Sequence, residues 1–274
     1  MHYRKVLIKY GGNAMINDDL KEEIAIGIRE LQDQGTNVVL VHGGGPFINK
    51  ALEEAGIASE FLDGQRVTTK EAFKHIEKTL KGEVNSSLVN VFNKAGLKAV
   101  GLSGKDGQLV TARKRWYQTV DQTGMRVKKD IGQVGNVETV NTQLLDLLLE
   151  GGFTPIIACI ASDKEGNDYN INGDVFAGEI AAALQVDAYI VLTDVDGLFS
   201  RFPDPASIIH LLNLSELPSY YQSIISGGMI PKMESCEAAV RAGAKKAVIL
   251  NGTKPEQIRG YLLEDQPIGT TLTK

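Results

Sequence analysis

The sequence predicts an α/β protein, a three-layer sandwich around a mainly parallel open sheet. Two observations predict this class. Short, continuously apolar segments recur along the chain, as strands buried on both faces do, and the stretches between them repeat apolar residues at helical spacing. Such alternation is typical of parallel sheets whose crossover connections are helices. The predicted strands cover residues 5–10, 37–41, 98–103, 154–160, 188–193 and 244–250.

Helices are predicted between these strands. The first begins after Asn17 or Asp18, either of which can cap a helix, and ends before Gly35. Pro46 fits the first turn of the second helix. The apolar residues of the first helix are Leu20, Ile24, Ile28 and Leu31, and later helices are predicted over Leu80–Val91, Leu144–Leu148, Ile180–Leu184 and the stretch after Pro231.

Residues 108–140 depart from this alternation. Their short, alternating and turn-rich segments predict an antiparallel flap beside the main sheet, and residues 165–171 predict a further tight hairpin. The strand pattern restarts after residue 187. Any division into lobes is therefore expected there, with an N-terminal lobe over 1–187 and a C-terminal lobe over 188–274.

Composition excludes several classes of protein. The 274 residues carry a net charge of −5, which argues against a nucleic-acid-binding surface or a basic membrane-surface patch. The longest apolar run, residues 155–161, is too short to span a bilayer, and the chain enters a strand pattern at once without a signal-peptide segment. The 2 cysteines, Cys159 and Cys236, are far apart in apolar or helical surroundings and predict buried thiols rather than a disulfide or zinc site. We expect a cytoplasmic protein.

Glycines are concentrated where the predicted strands end. Gly11–Gly12 follow the first strand and Gly43–Gly45 follow the second. In open α/β sheets ligands bind outside the carboxyl ends of the strands, and backbone amides without side chains can approach an anion there. One glycine pair alone indicates only a turn. Two such loops, with Lys9 directly before the first, predict a phosphate or carboxylate ligand.

The common nucleotide-binding motifs are absent. In the segment 101–107 the spacing from glycine to lysine is too short for a P-loop, so Lys105 is interpreted as a solvated loop residue. The glycine loop at 43–45 lacks the third glycine of the dinucleotide fingerprint, because Ile48 occupies its position. The four histidines form no recognisable triad or metal set; they are His2, His42, His75 and His210.

Three further polar clusters are candidates for a site. Arg66 stands beside a turn glycine, where a surface salt bridge is the alternative. Asn170, Asn172 and Asp174 are spaced by two, which in an extended segment would place all three side chains on one face. Lys232 follows Pro231 at a predicted helix start, where a cation is disfavoured unless an anion lies nearby.

Together these segments resemble the amino-acid kinase family, within it the branch that acts on N-acetylglutamate. The motifs are KYGGNAM, VHGGGP, GQRVT, GLSGKDG, YNIN-x-D, LTDVDGLF and GGMIPKMESC, in this order from Lys9 to about Gly269. Each motif is weakly specific, whereas their order and spacing are strongly specific. Two positions differ from the family pattern: Gly173 replaces a usual alanine and Thr69 a common aspartate.

The resemblance implies roles for individual residues. Lys9 and Lys232 would neutralise the transferring phosphoryl group, and Asp174 would hold both lysines. Gly44, Gly45, Arg66 and Asn170 would bind the acyl amino acid. The ATP-binding residues would be Gly11, Gly12, Asp194, Leu198, Gly228 and Met229. The N-terminal lobe would bind the acyl amino acid and form the dimer, and the C-terminal lobe would bind ATP.

The reaction implied is ATP-dependent phosphorylation of the γ-carboxylate of N-acetyl-L-glutamate, the second step of arginine biosynthesis. Mg²⁺ would be held mainly by the nucleotide phosphates. Because no helix precedes the first strand, a homodimer with weak or no arginine feedback is expected. The alternatives are a kinase of a carrier-linked aminoadipate, a non-catalytic nucleotide or amino-acid sensor, and a dinucleotide-dependent oxidoreductase.

Overall fold

A computed structural model of the chain describes residues 3–62, 64–120 and 124–274, without the side chains of residues 13 and 120. His2 thus lies outside the described residues. The strands are β1 (Lys5–Tyr10), β2 (Asn37–His42), β3 (Phe61–Leu62), β4 (Gln65–Arg66), β5 (Ala99–Ser103), β6 (Val110–Val120), β7 (Arg126–Val140), β8 (Thr154–Ala158), β9 (Ile160–Ser162), β10 (Asp168–Ile171), β11 (Ala188–Thr193), β12 (Leu211–Asn213), β13 (Ala247–Asn251) and β14 (Thr270–Thr273). The α-helices are α1 (Asp18–Asp33), α2 (Gly45–Glu54), α3 (Lys70–Glu77), α4 (Ser86–Lys94), α5 (Gln143–Glu150), α6 (Gly173–Ala183), α7 (Leu217–Tyr221), α8 (Met229–Ala242) and α9 (Glu256–Leu262).

The main sheet confirms the predicted fold class. Within the described residues it contains eight strands in the order β12-β14-β13-β11-β1-β2-β8-β5. Neighbouring strands are parallel except for the antiparallel pair β13 and β14. All six predicted strands are present. The edge strand β12 and its neighbour β14 were not predicted, because they are short and their mixture of apolar and polar residues resembles that of a loop.

Helices cover both faces of this sheet. Along β1 the side chain of Leu7 packs into one hydrophobic cluster, whereas Val6 and Ile8 pack into the other. The first cluster includes apolar residues of α2, α3, α5, α6 and α8, and the second includes those of α1, α4 and α9. The three layers that the sequence predicts are therefore present.

The first helix shows how local sequence sets an element's bounds. The side chain of Asn17 accepts hydrogen bonds from the backbone N–H groups of Asp19 and Leu20, so Asn17 rather than Asp18 is the N-cap. At the other end Gly35 adopts a positive φ of 86° and its N–H bonds to the Gln32 carbonyl. The helix ends where the sequence predicts.

The helix predicted over Leu80–Val91 differs in one respect. It is the second half of a run in which α3 is followed by a π-helical segment, Lys78–Asn85, and then by α4. Within the π-helical segment Leu80, Val84 and Asn85 are buried against the core. In a π-helix the backbone hydrogen bonds join residues five positions apart instead of four, and such segments are frequent at functional sites.

Residues 110–120 and 126–140 form the predicted antiparallel flap. Strands β6 and β7 pair as a long hairpin, with Val110 opposite Val140 and Trp116 opposite Asp130. The predicted hairpin at 165–171 is also present, because β9 and β10 are antiparallel neighbours. These strands close a small barrel in the order β10-β7-β6-β9, which the sequence did not predict.

The sheet is continuous across residue 187. Strand β11, the first strand after that position, pairs directly with β1, with Ile190 opposite Ile8. Strands from both sides of the boundary therefore build one sheet. Among the described residues, no helix combines the length and the apolar composition that crossing a lipid bilayer requires.

Candidate active site

Two cavities meet at the carboxyl ends of β1 and β2. The larger, of about 520 Å³, is lined by Lys9, Gly11, Gly12 and residues between 192 and 232. The smaller, of about 220 Å³, is lined by residues between 9 and 174. Lys9, Gly11 and Gly12 line both cavities. A group transferred between ligands in the two cavities would pass beside these three residues.

One carboxylate joins two lysines at this junction. Oδ1 of Asp174 lies 2.9 Å from Nζ of Lys9 in an ion pair, and Oδ2 lies 3.1 Å from Nζ of Lys232. Asp174 is only 5% exposed and Lys9 only 7%. Burial by itself would raise the pKa of Asp174, but the charges of Lys9 and Lys232 outweigh it and the pKa is lowered. The carboxylate is therefore ionised and fixes both ammonium groups.

Asp174 reaches this position from a helix rather than from an extended segment. Strand β10 ends at Ile171, and the side chain of Asn172 caps α6 by accepting from the N–H groups of Asp174 and Val175. The prediction that Asn170, Asn172 and Asp174 share one face of a strand is therefore wrong. All three still line the smaller cavity, because the chain turns from β10 into α6 at its wall.

Lys232 lies in the first turns of α8, as predicted. The anion that compensates it there is the Asp174 carboxylate of the neighbouring helix α6. The hydroxyl of Tyr189 on β11 lies between the two helices, donating to the Asp174 carbonyl at 3.2 Å and contacting Oγ of Ser235 at 3.3 Å. Strand β11 thus supports the spacing between Asp174 and Lys232.

Arg66 projects from β4 into the wall of the smaller cavity. It is 8% exposed, its guanidinium donates to Oγ of Ser59 and Oδ1 of Asn49, and it lies 4.5 Å from the centre of the Phe61 ring. Burial lowers its pKa. No carboxylate in the described part of the chain forms an ion pair with it, so the surface salt bridge considered as an alternative is wrong. Its two hydrogen-bond partners among the described residues are neutral, and its positive charge faces the cavity.

The other residues predicted for the smaller cavity are also in its wall. Gly44 and Gly45 lie at the start of α2, and Asn170 lies on β10. The two departures from the family pattern are compatible with this cavity. Thr69 is the N-cap of α3, a position that aspartate fills equally well, and it does not line the cavity. A Cβ at Gly173 would be 3.7 Å from Cε of Lys9, which is ordinary contact.

The residues predicted to bind the nucleotide line the larger cavity. They are Gly11, Gly12, Asp194, Leu198, Gly228 and Met229. Asp196, within the same loop, faces away and accepts hydrogen bonds from Asn251, Lys254 and Gln257. The two carboxylates of this loop therefore have different surroundings: Asp194 lines the cavity, whereas Asp196 attaches the loop to the segment after β13.

The end of the Lys9 side chain lies close to the backbone of Gly11. A Cβ placed on Gly11 would lie 2.8 Å from Nζ of Lys9 and 3.2 Å from its Cε. The ammonium group therefore passes over a backbone that has no side chain. This contact explains why a glycine, Gly11, stands two residues after Lys9.

Lys105 is not the solvated loop residue that the sequence indicated. Its Nζ lies 2.8 Å from a carboxylate oxygen of Glu77 and 3.0 Å from one of Asp168. These partners come from α3 and β10, which only the tertiary structure brings to this loop. Cys159 and Cys236 are buried as predicted, and burial raises the pKa of Cys159 to about 11, so its thiol stays neutral beside Lys9.

Several residues of the two cavity walls were not predicted. In the smaller cavity they include Phe61, Val134 and Cys159. In the larger cavity they include Phe202 and Ile224. Phe202 is 71% exposed, which is unusual for phenylalanine, but exposure is not visible in a sequence. Apolar residues such as these carry no motif, so only the fold could reveal them.

Comparisons with known proteins agree with this geometry. The sequence pattern of the amino acid kinase family matches residues 4–251. The chain is 41% identical to an acetylglutamate kinase of Methanococcus aeolicus, covering 99% of this chain and 92% of that protein. It is 42% identical to an acetylglutamate kinase of Archaeoglobus fulgidus, covering 98% of this chain and 93% of the relative. Among solved structures, smu.665 of Streptococcus mutans UA159 is similar, with a TM-score of 0.76, 29% identity and coverage of 98% of each chain. The family pattern over residues 4–251 and the identities to these relatives agree with the two cavities that meet at the paired lysines. The chain belongs to the amino acid kinase family.

Proposed function

We propose that the protein phosphorylates the γ-carboxylate of N-acetyl-L-glutamate with ATP, a step in arginine biosynthesis. The observation that carries this proposal is the meeting of two cavities at Lys9, Asp174 and Lys232. The relatives at about 40% identity over nearly their full length are acetylglutamate kinases, and this supports the choice of acceptor.

The chemistry of the reaction fits the residues at the junction. The acceptor is already a carboxylate, so phosphoryl transfer needs positioning and charge stabilisation rather than a general base. The main obstacle is repulsion between two anions. Lys9 and Lys232 stand where the two cavities meet, and each donor aimed at the developing charge contributes typically about 3 kcal/mol to lowering the barrier.

The larger cavity is proposed to hold ATP and the smaller one the acyl amino acid. Arg66, buried and without an ionic partner among the described residues, would pair with the α-carboxylate. Asn170, in the same wall, would donate a second hydrogen bond to the substrate. Backbone amides of Gly11, Gly44 and Gly45 would face the transferring group.

Mg²⁺ is proposed to be held mainly by the phosphates of the nucleotide, where it would neutralise their charge. Both oxygens of Asp174 already contact lysines, so this carboxylate is not available as a metal ligand. Asp194 is the remaining carboxylate in the walls of the two cavities, as the described residues define them.

A functional division at residue 187 is also proposed. The smaller cavity is lined by residues up to Asp174, and the larger one, beyond the shared Lys9, Gly11 and Gly12, by residues from Leu192 onward. An N-terminal lobe over 1–187 would thus bind the acyl amino acid and a C-terminal lobe over 188–274 the nucleotide. A cytoplasmic homodimer remains a prediction from the resemblance, and light scattering after size-exclusion chromatography would measure its mass.

An ADP-release assay against a panel of acidic acceptors tests the function. The panel is N-acetylglutamate, N-acetylaspartate, free glutamate and N-acylated aminoadipate. We expect N-acetylglutamate to have the highest kcat/KM, and Lys232→Ala to lower its kcat by roughly a hundredfold. A higher kcat/KM for the aminoadipate derivative would move the enzyme to that acceptor. Nucleotide binding without turnover of any acceptor would indicate a sensor.

A further inference from the structure

His42 is a buried titratable residue that the proposed reaction does not use. It is the last residue of β2 and immediately precedes the Gly43–Gly45 loop. The ring is fully buried, at 0% exposure, and therefore cannot contact a ligand in the smaller cavity. Nδ1 lies 2.8 Å from the carbonyl oxygen of Gly43, and Nε2 lies 2.9 Å from Nδ2 of Asn85.

These contacts define one tautomer of the ring. Nδ2 of Asn85 also lies 2.9 Å from the carbonyl oxygen of Ile156, and a carbonyl can only accept, so the Asn85 amide is oriented with its nitrogen toward His42. Nε2 of His42 must then accept from Asn85. Nδ1 must carry the hydrogen and donate it to the Gly43 carbonyl.

The neutral state of the ring is supported by its surroundings. Burial, with a smaller contribution from the charge of Lys81, outweighs the opposing effect of the Gly43 hydrogen bond, and together they lower the pKa of His42 to about 4. At neutral pH the ring therefore keeps a single N–H. That N–H is committed to the Gly43 carbonyl.

The orientation of the Gly43 carbonyl sets the direction of the next amide. In a trans peptide the carbonyl and the N–H point in opposite directions, so a Gly43 carbonyl held toward the buried ring turns the Gly44 N–H away from it. Gly43 and Gly44 both line the smaller cavity, whereas the His42 ring does not. Across the described residues this N–H donates to no protein acceptor, and it is thus free for an anionic ligand.

The π-helical segment supports the same loop from behind. A Cβ on Gly44 would lie 2.6 Å from a methyl carbon of Leu80, so Leu80 packs directly on the Gly44 backbone. Asn85, at the end of the segment, is 2% exposed and holds the ring. Both contacts come from one helical segment, which makes the loop's position depend on it.

We propose that His42 is a positioning residue that aims the Gly44 N–H at the transferring phosphoryl group by holding the Gly43 carbonyl through Nδ1–H. The link to phosphoryl transfer rests on the proposed function, whereas the tautomer and the hydrogen bond do not. His42 acts through the peptide plane and never touches a substrate.

Two substitutions separate the two hydrogen bonds of the ring. The amide of His42→Asn reaches the position of Nδ1 and can still donate to Gly43, whereas the amide of His42→Gln reaches the position of Nε2 and contacts only Asn85. We expect the Gln variant to lose at least roughly tenfold in kcat, with smaller changes in KM, because one aligned amide donor is misdirected. The Asn variant should stay within about threefold of the unmodified enzyme. Equal losses in both variants, or no loss in the Gln variant, would overturn the proposal.

A second measurement does not depend on turnover or on whether either variant folds. Nitrogen NMR of the histidine rings in the unmodified protein reports which ring nitrogen carries hydrogen, and substituting the other three histidines (His2, His75 and His210) assigns the remaining signal to His42. We expect Nδ1–H at His42; an Nε2–H tautomer would overturn the proposal whatever the kinetics. If the protein fails to phosphorylate N-acetylglutamate, the proposed function fails, and this NMR result still decides the role of His42.

Discussion

Replacing Asp174 with Asn removes the charge that joins the two lysines while keeping the shape of the side chain. At contacts of 2.9 and 3.1 Å each ion pair is worth about 5 kcal/mol of Coulomb energy at an effective dielectric constant of about 20. Desolvation offsets much of this, and removing one member of a buried pair typically lowers the free energy of unfolding by 3–5 kcal/mol. Because the Lys232 side chain is 19% exposed, we expect a loss near the lower figure, about 3 kcal/mol.

The same substitution should lower turnover more than ligand binding. Without the carboxylate the ammonium groups of Lys9 and Lys232 repel each other and leave the junction. We expect kcat to fall by roughly a hundredfold or more, since two aligned donors are displaced. The negative phosphates of bound ATP would offset part of the repulsion between the two ammonium groups. ATP should therefore raise the melting temperature of Asp174→Asn by more than that of the unmodified protein.

Asp187→Asn is the matched control. Asp187 is 8% exposed, pairs with Lys245 at 2.6 Å and accepts from the backbone N–H groups of Arg4 and Lys5. It precedes β11, at the opposite end of that strand from the glycine loops. We expect this variant to lose stability but to keep kcat within about threefold. Urea unfolding and the ADP-release assay measure both quantities. Unchanged stability and turnover in Asp174→Asn, or an equal loss of kcat in Asp187→Asn, would refute the reasoning.

The pH dependence of stability gives a further check on Asp174. Its pKa in the folded protein is lowered below the unfolded value of about 3.9, so its contribution is fully present above about pH 4. The contribution is lost as the pH falls through the folded-state pKa. Below pH 4 the unmodified protein should therefore lose its stability advantage over Asp174→Asn.

Three other substitutions and one pH change have definite expected outcomes. Gly11→Ala places a Cβ 2.8 Å from Nζ of Lys9, so kcat should fall at least roughly tenfold in steady-state assays while the melting temperature changes little. Arg66→Ala should raise KM for the acyl substrate at least roughly tenfold and change kcat less, because it removes the cation proposed for the α-carboxylate; a pure kcat defect would contradict this. Gly173→Ala adds a methyl group in ordinary contact at the start of α6 and should raise the free energy of unfolding by about 0.5 kcal/mol with kcat unchanged. His42 has a folded-state pKa of about 4, so the stability due to its neutral ring is present above the unfolded pKa of about 6.5 and declines below it, by about 2 kcal/mol from pH 7 to pH 5. Chemical unfolding at the two pH values should show a smaller decline in His42→Asn.

The architecture was largely predictable, because five of the six predicted strands (β1, β2, β8, β11 and β13) are buried on both faces. Such strands need continuous apolar residues, and that requirement is local enough to be visible in the sequence. The strand β8 is an example, since every residue from Thr154 to Ala158 is buried. Strands β12 and β14 lie at or near an edge, where half-polar residues are tolerated, and the sequence did not distinguish them from loops.

The site was predictable only where a residue type conflicts with its predicted local structure. Lys9 before Gly11, and Lys232 at the start of a helix, are local conflicts that indicate a ligand or a distant anion. Arg66 and Lys105 show the limit. For Arg66 a surface salt bridge was considered, yet the residue is buried and has no ionic partner in the described residues. Lys105 was interpreted as a solvated side chain, yet two carboxylates hold it.

The sequence by itself determined the alternation of strands and helices, the glycine loops at strand ends and the charged residues available to the site. Only the tertiary structure decided that Asp174 lies between Lys9 and Lys232. The physical reason is range. Apolar periodicity and capping act over a few residues, whereas these contacts join residues as many as 165 positions apart in the chain (Lys9 to Asp174) and form only when β1, α6 and α8 pack together.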